Sequence, residues 1–361
     1  MLADKFFDIT FDLEKEKQEV IDFIHMKKNQ DSAEAVFYDK YHEIQSCIGE
    51  QSKISTLKNK LWNGSDISNL VPKAIQVETK EQLDDWRYLI RFTSSFKNVS
   101  NPGRNMKFLV IDEISNLYLG ALTVTSDFGD LGARDKYIGW TRDDRYKNKK
   151  LNNIACGQAI IPIQPFGHNF LGGKLMALMI TSDTIRNAWK EKYGDVLVGM
   201  TTTSLYGTYS QYNGLPTFKK RGKTTGQMPI KLPRPVVKKW EEYYGEKSKD
   251  RLGMFTKIYR ECGMKPKDYQ HGIQRGIYFC SFYDNINCFL QGKIDEKDLI
   301  LNNKFKDYYK FMIDWWKPKA LNRHEKITSD GRFINELHFW DKLFGLTYEE
   351  SKQKFLPEVG R

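Results

Sequence analysis

Three stretches of the chain combine residue types suited to phosphate or proton chemistry. The first is Gln164-Pro165-Phe166-Gly167-His168-Asn169-Phe170-Leu171-Gly172-Gly173-Lys174. Glycines so spaced let backbone amides approach a phosphate, and a helix starting there adds the favourable end of its dipole. The stretch has neither the Gly-Lys-Ser/Thr of a Walker A loop nor the dinucleotide fingerprint, and a tight strand-to-helix turn needs the same glycines. The second stretch, Ser204 to Gly214, carries Tyr206, Tyr209 and Tyr212. A tyrosine hydroxyl can donate or accept a proton, and its ring can stack on an unstacked base. The third, Phe218 to Gly226, holds Lys219, Lys220, Arg221 and Lys223, and a second basic run upstream holds Arg142, Arg145, Lys147, Lys149 and Lys150. On a shared face these cations would grip a nucleic-acid backbone, although charge runs are also ordinary solvated surface.

Other chemistry finds less support. The histidines His25, His42, His168, His271, His324 and His338 form no His-x-x-x-His pair, and no Cys-x-x-Cys occurs, so no metal site is expected. His168 reads as a loop hydrogen-bonder. Asp127, Asp130 and Asp135 are candidate general bases, with Asp135 the one carried forward.

Positioning these residues requires a strand, loop, helix and strand in succession. The pattern predicts strands at Ile154 to Ile163 and Asp195 to Thr203, with a helix over Leu175 to Trp189 between them. Upstream, Met106 to Ile111 and Leu117 to Thr125 read as a hairpin around Asp112 to Asn116, and Lys136 to Trp140 reads as a further strand. The first 70 or so residues read as helical, with Asp31 as an N-cap, and the turn residues Asn63-Gly64-Ser65-Asp66 and Val71-Pro72 mark a boundary. Beyond Pro229, Pro233 and Pro235, helices should dominate, including one over 305–316 that Pro318 ends. The expected division is a helical region at 1–75, an α/β core at 80–230 and a mainly helical region at 231–361.

Composition narrows the partners. Lys plus Arg exceed Asp plus Glu by 57 to 46, a formal charge of +11, which favours polyanions. No basic-then-apolar leader opens the chain and no apolar run approaches a membrane span, so a cytoplasmic protein without membrane contact is expected. Five irregularly spaced cysteines argue for free thiols rather than a disulfide scaffold.

The chain resembles the DruA proteins of the Druantia anti-phage system. The resemblance is carried by Met106 to Glu113, Ala133-Arg134-Asp135-Lys136-Tyr137-Ile138-Gly139-Trp140, Asn153, Ala159-Ile160-Ile161-Pro162 and Asn169-Phe170-Leu171-Gly172-Gly173. It continues at Trp189 to Gly194, Tyr206-Gly207-Thr208-Tyr209, Gly222-Lys223-Thr224-Thr225-Gly226 and His271 to Tyr278. The order of elements is also similar to the N-acetyltransferase superfamily, in which the loop after the fourth strand binds a cofactor pyrophosphate. Gln164 to Asn169 approximates that loop, and the phage Mom DNA-modification proteins are a similar branch.

What these resemblances imply is an α/β (α+β) fold with an acetyltransferase-like mixed central sheet and helical additions at both ends. The expected activity is transfer of an acyl, aminoacyl or related small group to a DNA base. Gln164, Gly167, Asn169, Gly172 and Gly173 would cradle the donor, an acyl-CoA or another phosphorylated compound. Tyr209 or Tyr212 would act as acid and Asp135 as base, while Arg142, Lys147, Lys219, Lys220, Arg221 and Lys223 would hold DNA. The alternative is a non-catalytic DNA-binding component working with phage or defence-system proteins. Fold likeness alone does not decide between them.

Overall fold

The computed structural model describes residues 11–29, 32–96, 103–141, 144–145, 149–204, 210–225, 228–246, 251–271 and 274–356. The chain divides into two compact units. One comprises Met1–Ala35 with Thr225–Gln274, the other Val36–Thr224 with Arg275–Arg361.

The smaller unit is built from the helices Leu13–Asn29, Arg234–Tyr244 and Arg251–Glu261, with a short antiparallel ribbon of Met228–Pro229 against Gln270–His271. Its core gathers Val20, Ile24, Trp240, Ile258 and Tyr259, all buried. Tyr259 stacks on Tyr269 with ring centroids 4.1 Å apart.

The larger unit holds a seven-stranded mixed sheet. Its strands are β1 (Pro72–Gln76), β2 (Asn105–Asp112), β3 (Tyr118–Ser126), β4 (Ile154–Pro162), β5 (Gly199–Thr203), β6 (Phe218–Lys223) and β7 (Gly276–Ser281). They lie in the order β1-β2-β3-β4-β5-β7-β6, with β4 and β5 parallel and every other pair antiparallel. The β2–β3 hairpin forms as the sequence predicts, with Leu109 opposite Ala121, and Asp112 organises its turn by accepting from the Val71 amide (2.9 Å) and the Ser115 hydroxyl (2.6 Å).

Helices cover the sheet because their apolar residues fall on one face. In α1 (Lys80–Thr93) the buried apolar residues are Trp86, Leu89, Ile90 and Phe92, Trp86 donates to the Leu122 carbonyl at 3.1 Å, and a Thr79/Gln82 capping box starts the helix. Gly120 of β3 is closely packed against its neighbouring strand and the helix above it. A methyl group there would lie 2.4 Å from the Ile161 carbonyl oxygen and 2.6 Å from the Met176 sulfur. Gly120→Ala is therefore expected to lower unfolding free energy by about 1–3 kcal/mol, measurable as a lower urea midpoint with an unchanged slope.

Four local expectations are corrected. Residues 136–140 are not a strand: α2 (Gly132–Ile138) occupies that stretch and ends at Gly139, whose φ of 83° only glycine adopts readily. The turn swings Trp140 inward, where it donates to the Leu290 carbonyl at 2.7 Å. The single helix expected over 175–189 is two, α3 (Gly172–Met179) and α4 (Asp183–Tyr193), because Ser182 is extended and Thr181 turns its hydroxyl to the Leu178 carbonyl and to Tyr308. Pro318 does not end its helix, α5 (Tyr308–Ser329), which runs through it while Met312, Trp316, Ala320 and Ile327 stay buried on both sides. Finally, β7 comes from the stretch read as helical and enters the sheet between β5 and β6. Its Gly276 to Cys280 are all buried, so the strand shows no alternation that would separate it from a buried helix segment. Asp31 lies outside the described residues.

All five cysteines are free thiols. Among the described residues no helix is long and apolar enough to cross a membrane.

Candidate functional site

The centre of the sheet opens where its one parallel pair ends. β4 and β5 bond only over Ile154 to Cys156 with Gly199 to Thr201, while β4 continues along β3 to Pro162. Gln211 and Tyr212, with Thr202 of β5, fill the gap. Gln211 donates to the Ile160 carbonyl at 3.0 Å, and Thr202 bonds the Gly157 carbonyl at 2.9 Å. Tyr212 is buried, its hydroxyl lies 3.2 Å from that of Thr202 and accepts from Gln211 at 3.2 Å, and its ring packs against Phe218 and Tyr278. Burial pushes its phenol above the ordinary tyrosine range. A hydroxyl so enclosed is an internal hydrogen-bonding group rather than an accessible acid. Tyr209 lies outside the described residues.

The glycine loop sits beside this plug, after the fourth strand of the sheet, with several of its polar groups engaged. The amides of Gly167, Asn169 and Phe170 donate to the carbonyls of Ile163, Pro165 and Phe166, and the His168 amide donates to the Gln164 side chain at 3.0 Å. Asn169 is buried, and its amide exchanges two hydrogen bonds with the backbone of Ile334, at 2.7 and 3.2 Å. The glycines are explained by close packing. A methyl on Gly167 would meet the Gln164 amide, one on Gly172 the Phe166 ring and one on Gly173 the Gln211 side chain, each at 2.6 Å. Trp316 of α5 closes the loop by donating to the Phe170 carbonyl at 3.1 Å. Lys174 turns to the Asn213 carbonyl at 2.6 Å, and burial lowers its ammonium below the usual lysine range. His168 rests its Nε2 3.3 Å from the Arg332 carbonyl, as a loop hydrogen-bonder would, and burial together with Arg323 holds its imidazole below the usual value.

The amides of Gly167 and Asn169 and the side chain of Asn169 bond to the chain itself and are not open to a donor pyrophosphate. Of the cradle expected of Gln164, Gly167, Asn169, Gly172 and Gly173, the groups of Gln164, Gly167 and Asn169 serve internal hydrogen bonds. Asn169→Ala should therefore act on stability, at a cost of about 1 kcal/mol for lost neutral hydrogen bonds, seen as a lower melting temperature.

Asp135 is likewise engaged. Its Oδ1 accepts from Arg134 at 2.6 and 2.8 Å, and its Oδ2 accepts from Arg145 and from the Leu131 amide. Arg134, fully buried, also pairs with Asp127 at 3.0 Å and bonds the Phe128 carbonyl, while Thr201 donates to Asp127 at 2.6 Å. Arg145 reaches Asp130 as well, at 2.9 Å. The sequence names both the aspartates and these arginines but not their pairing. The base role expected for Asp135 gives way to that of an anchor, since both of its oxygens are held by cations.

The cations of the third stretch behave differently. β6 is an edge strand with four cations among six residues, and Lys219, Lys220 and Lys223 are exposed. Arg221 lies 3.6 Å over the Tyr137 ring of α2. Among the described residues none of the four pairs with a carboxylate. Edge lysines also discourage strand addition, a role that needs fewer charges. Arg142 and Lys147 lie outside the described residues, and no group of metal-ligating side chains occurs among those described.

The fold and site thus define a mixed α/β protein with a plugged central cleft and a basic sheet edge. The family model described as Druantia protein DruA matches residues 27–292. The chain belongs to that family. It is 25% identical to the Druantia protein DruA of Escherichia coli (strain UMEA 4076-1), and the match covers 66% of each chain. The chain thus spans about two thirds of that relative's length. No solved structure matches.

Proposed function

We propose that this chain is a non-catalytic DNA-binding component of a Druantia-type anti-phage defence system, holding the backbone of duplex DNA along β6. The observation that carries the reading is the edge strand itself, with four cations lacking carboxylate partners among the described residues. Uncompensated lysines on one edge suit phosphate contacts, which supply most of sequence-independent affinity. Other components of the defence system are its proposed protein partners.

A second reading retains the DNA-base transferase. It is favoured by the position of the glycine loop after the fourth strand and by the parallel opening between β4 and β5, which suit an acetyltransferase-like core with an acyl-CoA or similar donor. The internal bonds of Gly167 and Asn169 and the Gln211–Tyr212 plug weigh against it.

Fluorescence anisotropy with a labelled duplex tests the DNA contact on β6. Under the first, neutralising Lys219, Lys220 and Lys223 weakens binding and Tyr209→Phe leaves it unchanged. Nucleoside mass spectrometry on DNA from cells expressing the chain separates the readings. A mass increment lost in Tyr209→Phe would replace the binding reading with the transferase.

A further inference from the structure

At the opposite edge of the sheet, where β1 ends and α1 begins, lies an open cleft of about 310 Å³. Three lysines line it: Lys80 at the start of α1, Lys107 on β2 and Lys192 near the end of α4. Two of them converge on one residue. Lys107 donates to the Asn105 side-chain oxygen at 3.0 Å and Lys192 to the Asn105 carbonyl at 3.3 Å. Lys107 also lies 5.1 Å over the Trp86 ring.

Among the described residues none of these lysines pairs with a carboxylate. Glu78 is the one carboxylate in the lining, and no ion pair joins it to any of the three lysines among the described residues. Nearby Lys60 shows the contrast, paired with Glu81 at 2.8 Å and Asp85 at 2.7 Å. Lys107 shows the consequence: burial, then the neighbouring charges of Arg87 and Lys192, lower its ammonium below the usual lysine range. Three ammonium groups less one carboxylate leave two positive charges, which matches the charge of about −1.5 to −2 on a phosphate monoester. Val77 and Leu83 add an apolar wall. The volume is at the small end of the roughly 300–1,000 Å³ typical of small-molecule sites and too small for an oligonucleotide.

We propose that this cleft binds a small phosphorylated ligand of mononucleotide size, its phosphate held by Lys107 and Lys192 with Lys80 at the rim. The site is separate from the basic edge. β1 and β6 are the two outer strands of seven, and strand spacing puts them roughly 29 Å apart. Ligand binding in the cleft is therefore independent of whether β6 holds DNA.

Calorimetry on the intact chain at low salt tests it, with AMP, inorganic phosphate and adenosine as probes. AMP should bind, phosphate should bind more weakly and adenosine should give no heat. Losing two charge-assisted contacts in Lys107→Gln/Lys192→Gln should weaken AMP at least about tenfold, and Lys80→Gln about threefold. AMP should raise the melting temperature of the wild type and not that of the double variant. Lys80→Gln keeps the test independent of folding, since Lys80 is exposed. The proposal is overturned by adenosine binding as well as AMP, or by absence of heat with AMP up to about 10 mM, where even weak sites fill. It is equally overturned if the Lys219, Lys220 and Lys223 substitutions remove AMP binding, which would place the anion on β6. Duplex DNA binding weakened by Lys107→Gln to the same degree as AMP binding would make the cleft a nucleic-acid contact and also overturn it.

Discussion

Replacing Lys219, Lys220 and Lys223 together by glutamine is expected to weaken duplex DNA binding about 100-fold near 0.15 M salt and to reduce the log–log salt slope by about 3. Each phosphate contact releases close to one counterion, so three lost contacts give the slope, and the slope gives the affinity loss at that salt. Because the three side chains are exposed, folding stability should stay within about 0.5 kcal/mol of the wild type. Arginine at the same positions should preserve both affinity and slope. Lys310→Gln, which removes an exposed lysine paired with Asp314, is the control for net charge. An unchanged slope in the triple variant would sink the assignment of β6 as the DNA contact, whatever the overall affinity.

Arg134→Met should produce the largest loss of stability, about 3–5 kcal/mol, because it leaves buried carboxylates without their cation. Asp127 and Arg134 are both fully enclosed, and only Asp135 would keep a second partner, Arg145. Burial holds the Asp127 carboxyl above the ordinary range even with Arg134 beside it, and removing the guanidinium raises it further. The sign follows from linkage. A carboxyl with a raised folded-state value binds more protons in the native than in the unfolded chain, so stability falls as pH rises through the interval between the two values. The deficit of Arg134→Met should therefore be smaller near pH 5 than near pH 7, and adding Asp127→Asn should recover part of it. Urea unfolding at both pH values checks this. A deficit under about 1 kcal/mol, or one that ignores pH, would mean that water reaches the network and screens it.

Patterning shows through wherever a segment's own chemistry decides its conformation. The β2–β3 hairpin was legible because Asp112 to Asn116 supplies turn residues between two β-rich runs, and the strand before the glycine loop because Ile154 to Pro162 is apolar almost throughout. Where tertiary packing decides, the pattern misleads. Lys136 to Trp140 has strand-like composition, yet Arg134, Asp135 and Ile138 are buried together, which a helix permits and a strand at that place does not. β7 was hidden because a strand buried on both faces loses its alternation.

The candidate site divides along the same line. From sequence alone came the family resemblance, the basic run that becomes β6, the free thiols and the α/β class, because each depends on residue type and order. Only the tertiary structure decided that Tyr212 faces inward, that Asn169 bonds Ile334 and that Asp135 is locked between two arginines. It alone brought Lys107 and Lys192 together on Asn105. A residue's type sets what it can do, while the residues that reach it from distant parts of the chain set how much of that capacity remains free.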